Sequence, residues 1–181
     1  GMHDIIIGAD GVPSGGSRGA TYVVFGSAGG FPAEFQLSSL DGSNGFTILG
    51  QTTADILGRR VSGAGDVNGD GLDDLITGAF GADPNGEKSG AAYVVFGSTN
   101  GFPAYLNVAS LNGNNGFKLS GIAPGDETGR RVSRGGDING DGVDDLLISA
   151  HRANPNGEDS GEVYVVFGMS GSFPAVINLA Q

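Results

Sequence analysis

The 181-residue chain is acidic, with a formal net charge of −11 at pH 7, and it combines 36 glycines with no cysteine. The negative charge argues against a nucleic-acid partner, because phosphates are bound by Lys and Arg. No run of about 18 apolar residues occurs, so no membrane-spanning helix is predicted, and disulfide and thiol chemistry are excluded. We expect a single domain and no signal peptide within this chain, whose first three residues resemble a trimmed start.

Apolar segments separated by glycine-rich turns repeat along the chain. Residues 22–26, Tyr-Val-Val-Phe-Gly, return 71 residues later at 93–97 and after the same step at 164–168. A Phe-Pro-Ala segment follows each copy, and residues 58–62, Gly-Arg-Arg-Val-Ser, return at 129–133. A fixed step of this length is typical of repeat architectures. The chain is therefore predicted to hold about two and a half copies of one unit.

Each unit is predicted to contain four strands, and no helical periodicity is visible. In the central unit we expect strands at Arg59–Gly63, Asp74–Ala79, Ala91–Phe96 and Phe117–Ser120. A turn with the sequence Asp-Pro-Asn-Gly joins the second strand to the third. The long connection to the fourth strand is expected to hold a short extra strand around Tyr105–Val108.

Several of these strands are continuously apolar, which indicates that both of their faces are covered. Stacked four-stranded antiparallel sheets provide such cover in a β-propeller. We therefore predict an all-β fold, a partial ring of about 2.5–3 propeller blades, with blade segments 4–50, 58–121 and 129–181. A β-solenoid is the alternative, although its repeats are usually much shorter.

Two acidic turns, residues 66–74 and 137–145, share the pattern Asp-x-Asn-Gly-Asp-Gly-x-Asp-Asp. Side-chain oxygens stand at the first, third, fifth and ninth positions, and the glycine at the sixth allows a tight curl that turns the seventh carbonyl inward. Oxygen-only ligand sets suit Ca²⁺. Two Asn-Gly and Asp-Gly turns without metal are the alternative, but they would not require three mutually repelling carboxylates. The predicted calcium ligands are Asp66, Asn68, Asp70, the Leu72 carbonyl and Asp74, and then Asp137, Asn139, Asp141, the Val143 carbonyl and Asp145.

With these loops the chain resembles the FG-GAP repeats of the integrin α-subunit β-propeller and its bacterial relatives. The loop pattern fits that family, whereas the flanking motifs depart from it, with Leu57-Gly58 for Phe-Gly and Gly78-Ala79-Phe80 for Gly-Ala-Pro. The resemblance implies the same ligands, two Ca²⁺ per chain, and a ring of seven blades in the family. It also makes Asp4 the remnant of a third loop and leaves Asp73 and Asp144 facing solvent.

The function implied by the resemblance is a non-enzymatic, calcium-stabilised module for extracellular adhesion or recognition. A partner, protein or glycan, would bind on the face opposite the calcium, in loops 52–56, 83–89, 122–128 and 154–160. One alternative is a purely structural propeller fragment that self-assembles, with a head-to-tail dimer as the favoured assembly. Another is the accessory domain of a secreted carbohydrate-active enzyme. No catalytic set can be built around His151. The arginine pairs 59–60 and 130–131 are expected to pair with carboxylates, with anion binding in the central channel as the alternative.

Overall fold

The structure is a computed structural model that describes residues 3–11 and 18–180. It is all-β, with twelve strands in three sheets. Its only described helical residues form two single-turn 3-10 helices, Leu37–Ser39 and Val108–Ser110. The three sheets are the predicted propeller blades, which we number 1 to 3 in chain order.

Blade 1 contains three antiparallel strands and blade 2 contains four. Blade 1 has β1 (Ile5–Ala9), β2 (Ala20–Val24) and β3 (Gly45–Leu49). Blade 2 has β4 (Val61–Gly65), β5 (Asp74–Ala79), β6 (Ala91–Val95) and β8 (Gly116–Ser120), with β7 (Tyr105–Asn107) between the last two in the chain. The bounds of β5 match the predicted strand, whereas β4 begins two residues later than expected.

Blade 3 contains β9 (Thr128–Gly136), β10 (Asp145–Ala150) and β11 (Glu162–Val166). Strand β10 lies in the middle and pairs antiparallel with both neighbours. Register shifts mark its pairing with β9 between Asp145 and Leu146 and between Ser149 and Ala150. The irregular pairing begins where the second acidic turn enters the sheet.

Two further strands join the sheet of the preceding repeat rather than their own. Strand β7 (Tyr105–Asn107) pairs parallel with β3 of blade 1. Strand β12 (Val176–Asn178) pairs parallel with β8 of blade 2. The extra strand was therefore predicted near its true position, but the expectation of purely antiparallel four-stranded sheets was incomplete.

The apolar core lies between the blades. One buried cluster joins Val23, Phe46 and Ile48 of blade 1 to Leu75, Tyr93 and Val95 of blade 2. A second joins Ile76, Val94 and Phe117 of blade 2 to Leu146 and Ile148 of blade 3. Strands β5 and β6 of blade 2 thus bury alternate side chains on opposite sides, which explains their continuous apolar sequences.

Candidate calcium loops

The first acidic turn connects β4 to β5 as the loop of an antiparallel hairpin. Gly69 and Gly71 in this loop have φ angles of 71° and 86°, a left-handed conformation that glycine adopts without steric cost. The alternation of glycine with Asp and Asn therefore lets the chain curl back on itself within a few residues. Asp66 lies at the start of the curl and Asp74 at the first position of β5.

Side-chain oxygens of this loop accept hydrogen bonds from its own backbone. Asp66 accepts from the amides of Asp70, at 3.0 Å, and Gly71, at 2.8 Å. Asp70 accepts from the Leu72 amide at 2.8 Å and from the Asn68 side chain at 2.9 Å. These carboxylates are thus hydrogen-bonded within the loop, although Asp70 itself is exposed to solvent.

Asp74 anchors the loop to the sheet and is almost fully buried. Its two oxygens accept from the Val67 amide at 2.9 Å and from the Gly97 amide at 2.8 Å. Burial, together with the nearby carboxylates of Asp70 and Asp66, raises the pKa of Asp74 to about 7 despite the lowering effect of the two amides. A buried carboxylate beside two others is the electrostatic situation that a bound cation would relieve.

The second loop repeats every one of these hydrogen bonds and adds one more, from the Gly140 amide to Asp137 at 2.7 Å. Asp137 accepts from the amides of Asp141, at 3.0 Å, and Gly142, at 2.9 Å. Asp141 accepts from the Val143 amide and the Asn139 side chain. Asp145, which is fully buried, accepts from the amides of Ile138, at 2.7 Å, and Gly168, at 2.9 Å. The same residue types at the same positions therefore give the same geometry twice.

The donor set fits calcium in its chemistry, because each loop contributes three carboxylates, an amide oxygen and no softer ligand. Within residues 3–11 and 18–180, however, no three acidic or histidine side chains stand close enough to form a ready cation cage. The carboxylate oxygens are instead held by backbone amides. Asp66, Asn68, Asp70 and Asp74 would hold one ion, and Asp137, Asn139, Asp141 and Asp145 the other, with Leu72 and Val143 offering backbone carbonyls.

Asp144 does not face solvent as expected but joins the two loops. Its carboxylate accepts from the Asp66 amide at 3.0 Å and from the Arg134 guanidinium at 2.8 Å. Its side chain is only 14% exposed. The expectation was wrong because it treated each loop alone, whereas the loops of blades 2 and 3 lie side by side. Asp73, the equivalent residue of the first loop, is exposed as expected.

Loop 66–74 is also covered by the next repeat. The amide of Met169 donates to the Val67 carbonyl at 3.1 Å, and the amide of Gly171 donates to the Asn68 carbonyl at 2.8 Å. Asn68 is buried as a result, whereas the equivalent Asn139 is exposed. The two loops thus share an internal network but differ in their surroundings.

Polar groups in the loops proposed for partner binding serve largely to fold those loops. Asp55 accepts from the amides of Gln51 and Thr52, both at 2.8 Å. Asp126 accepts from the Ala123 amide at 3.0 Å, and Asp83 from the Lys88 amide at 2.6 Å. Asp4, the predicted remnant of a third loop, accepts from the Gly26 amide at 2.8 Å, as Asp74 does from Gly97.

A charged cluster around Glu127 was missed at the level of sequence. Its buried carboxylate pairs with Arg130 and with Arg152 at 3.4 Å, and it lies 3.7 Å from Nδ1 of His151. The three-residue spacing of Glu127 and Arg130 was the available signal; the other two partners come from the end of β10. Arg59 pairs with Asp10 at 2.8 Å, so the expected pairing with carboxylates is confirmed for Arg59 and Arg130. Arg60 instead donates to the Arg59 carbonyl at 3.1 Å.

Two segments of the chain are similar to a known repeat family. The model of the FG-GAP repeat matches residues 57–95 and 128–166, which cover β4 to β6 and β9 to β11. Integrin alpha pat-2 of Caenorhabditis briggsae is 32% identical over 109 residues, which are 59% of this chain and 8% of that protein. The chain thus spans a small part of this relative's length. No described helix is long and apolar enough to cross a membrane. The matches coincide with the two acidic-loop hairpins and the strands that follow them, so blades 2 and 3 of this β-propeller fold each contain a segment that is similar to the FG-GAP repeat.

Proposed function

We propose that the chain is a calcium-binding, non-enzymatic propeller module of extracellular adhesion or recognition. The observation that carries the proposal is the hydrogen-bond network that the two acidic loops share, each with a buried carboxylate at its ninth position. Two independent copies of this arrangement favour a selected binding site over an ordinary turn. The similarity to an integrin α-subunit supports the adhesive role.

Calcium bound in each loop would supply positive charge among three carboxylates. The ninth-position carboxylates would then extend the stabilising effect of calcium from each loop to the strands of its blade. Asp74 connects the loop at Val67 with the end of the third strand at Gly97, and Asp145 connects Ile138 with Gly168 in the same way. Anything that keeps these carboxylates ionised therefore keeps three strands of one blade together.

An extracellular setting follows from the affinity expected of such loops. Three charged ligands in a largely exposed loop suggest a dissociation constant of about 10⁻⁴–10⁻³ M, the range of extracellular calcium modules. Sites of this affinity fill outside cells and stay empty in the cytosol. The proposed partners are a protein or glycan ligand and either a second copy or further repeats that complete the ring.

The test is a calcium titration by calorimetry with thermal unfolding in calcium and in excess chelator. We expect two bound ions per chain and a lower melting temperature in chelator. Asp70→Ala and Asp141→Ala should each remove one ion. Asp73→Ala is the matched control, because it removes an exposed carboxylate from the same loop and should leave both ions bound. An unchanged melting curve in chelator would refute the calcium proposal.

A further inference from the structure

The outer face of blade 3 carries an exposed apolar surface. Val163, Val165 and Phe167 on and beside β11, together with Ile138 in the second loop, are each between 43% and 65% exposed. We call these four residues the back face of blade 3. Exposed apolar residues are common singly, but a contiguous group on one sheet face marks a contact surface.

The same surface exists once more inside the chain, where it is covered. Residues 71 positions earlier than the back face are Ala92, Val94, Phe96 and Val67, and none of them is more than 3% exposed. They pack in one cluster with Val132, Leu146 and Ile148 of blade 3. The internal joint therefore shows what covers a back face: the opposite side of the next blade.

That opposite side, the front face, is open on blade 1. Ile5 is 45% exposed, whereas its equivalents Leu75 and Leu146 are 8% and 1% exposed because a preceding blade lies against them. Ile7 and Tyr22 beside it are half-buried. The described residues thus carry an uncovered back face on blade 3 and an uncovered front face on blade 1, the sides that meet at the two internal joints. Each of the two faces is one strand narrower than at an internal joint, because blade 1 has no described counterpart of β4 and blade 3 none of β8.

We propose that the back face of blade 3 docks onto the front face of blade 1 in a second copy of the chain, head to tail. This inference rests on the propeller packing in the proposed function and is independent of its calcium sites. Head-to-tail contacts use two different surfaces, and they close into a ring when the rotation that relates one copy to the next returns to the first copy. Two copies give about six blades, within the usual range of four to eight, whereas three copies would give about nine. The expected assembly is a closed dimer.

The first test is the mass of the unaltered chain by sedimentation over a wide concentration range. We expect a reversible monomer–dimer equilibrium that shifts toward dimer as salt rises, because each copy has a formal net charge of −11 and salt screens the repulsion. A monomer at all concentrations would overturn the proposal, and so would an open-ended series of larger species. Measuring the mass in calcium and the bound calcium by calorimetry separates this outcome from failure of the calcium proposal.

Single substitutions test whether these two faces form the contact between the copies. Val163→Lys on the back face and Ile5→Lys on the front face should each give monomers. Val176→Lys is the matched control, because it places the same charge at a valine that is 56% exposed on β12, away from both faces, and it should dimerise like the unaltered chain. A monomeric control would overturn the assignment.

Mixing the two monomeric variants gives the sharpest result. A mixture of Val163→Lys and Ile5→Lys chains retains one unaltered back face and one unaltered front face, so dimers should reappear at a one-to-one ratio. Reappearance also shows that both variants are folded. If Ile5→Lys alone loses its strand signal in circular dichroism, Ile7→Lys takes its place. A mixture of folded variants that stays monomeric would contradict the head-to-tail arrangement.

Discussion

The carboxylate of Asp144 accepts a hydrogen bond of 3.0 Å from the backbone amide of Asp66, 78 residues earlier in the chain. The Asp144 amide in turn donates to the Asp66 carbonyl at 3.1 Å. Two acidic loops that like charge should drive apart are therefore joined by a reciprocal pair of hydrogen bonds. The Arg134 guanidinium, at 2.8 Å, offsets the charge of the joining carboxylate.

Asp144→Ala should destabilise the protein by about 1–3 kcal/mol, because it leaves the partly buried Asp66 amide without its acceptor. Asp73→Ala, at the equivalent but exposed position, should cost less than about 0.5 kcal/mol. Urea unfolding of both variants in calcium gives the comparison. Equal losses for the two would mean that the joint between the loops contributes nothing to stability.

The two calcium loops should differ in affinity, given that both bind the ion. The backbone amides of Met169 and Gly171 in the next repeat already hold the first loop in place. This loop therefore loses less conformational entropy than the second when it binds the ion. We expect its dissociation constant to be about tenfold lower, a difference of about 1.4 kcal/mol. In calorimetry, Asp70→Ala should remove the tighter step and Asp141→Ala the weaker one. The reverse assignment would count against the role of residues 169–171.

A hydrogen bond between blades 1 and 2 should be replaceable by apolar packing. The hydroxyls of Thr21 and Thr77, both fully buried, lie 2.8 Å apart, and the equivalent positions at the next joint hold Ala92 and Ile148. Thr21→Ala alone should cost about 1–3 kcal/mol, because it leaves a buried hydroxyl without a partner. The double variant Thr21→Ala/Thr77→Ile should recover most of that loss in urea unfolding. A double variant that loses the sum of the single effects would show that the two joints are packed differently.

Glu127→Gln should destabilise blade 3 by about 1–3 kcal/mol, because Arg130 and Arg152 lose the charge of the buried carboxylate between them. Glu158→Gln, which removes a carboxylate from an exposed turn, should be nearly neutral. Thermal unfolding at low and at molar salt separates charge from packing. The penalty should shrink in molar salt but persist in part, since a buried pair is screened less than an exposed one.

Much of the fold follows from periodicity in the sequence. The step of 71 residues, the strand Asp74–Ala79 and the two nine-residue turns are visible because they depend on residues that are neighbours in the chain. The predicted ligand residues lie together on each hairpin loop for the same reason. Calcium binding itself stays a prediction.

Features that depend on the neighbouring blade were not predictable in this way. The sequence of residues 34–36 corresponds to that of β7 and β12, yet these described residues form no strand. Strands β7 and β12 exist because β3 and β8 of a preceding blade offer them an edge. The roles of Asp144 and Glu127 likewise depend on contacts between repeats or between distant turns, which no local pattern reveals.

Borrowing an outermost strand from the following repeat also affects how the chain can be divided. A cut placed at the end of β8 would leave blade 2 without β12, and a cut after β3 would likewise remove β7 from blade 1. Single repeats excised at their apparent boundaries should therefore fray at one edge. Because each sheet contains a strand from the repeat that follows it in the chain, loss of one repeat destabilises the repeat before it. Unfolding should therefore spread toward the amino terminus more readily than toward the carboxyl terminus.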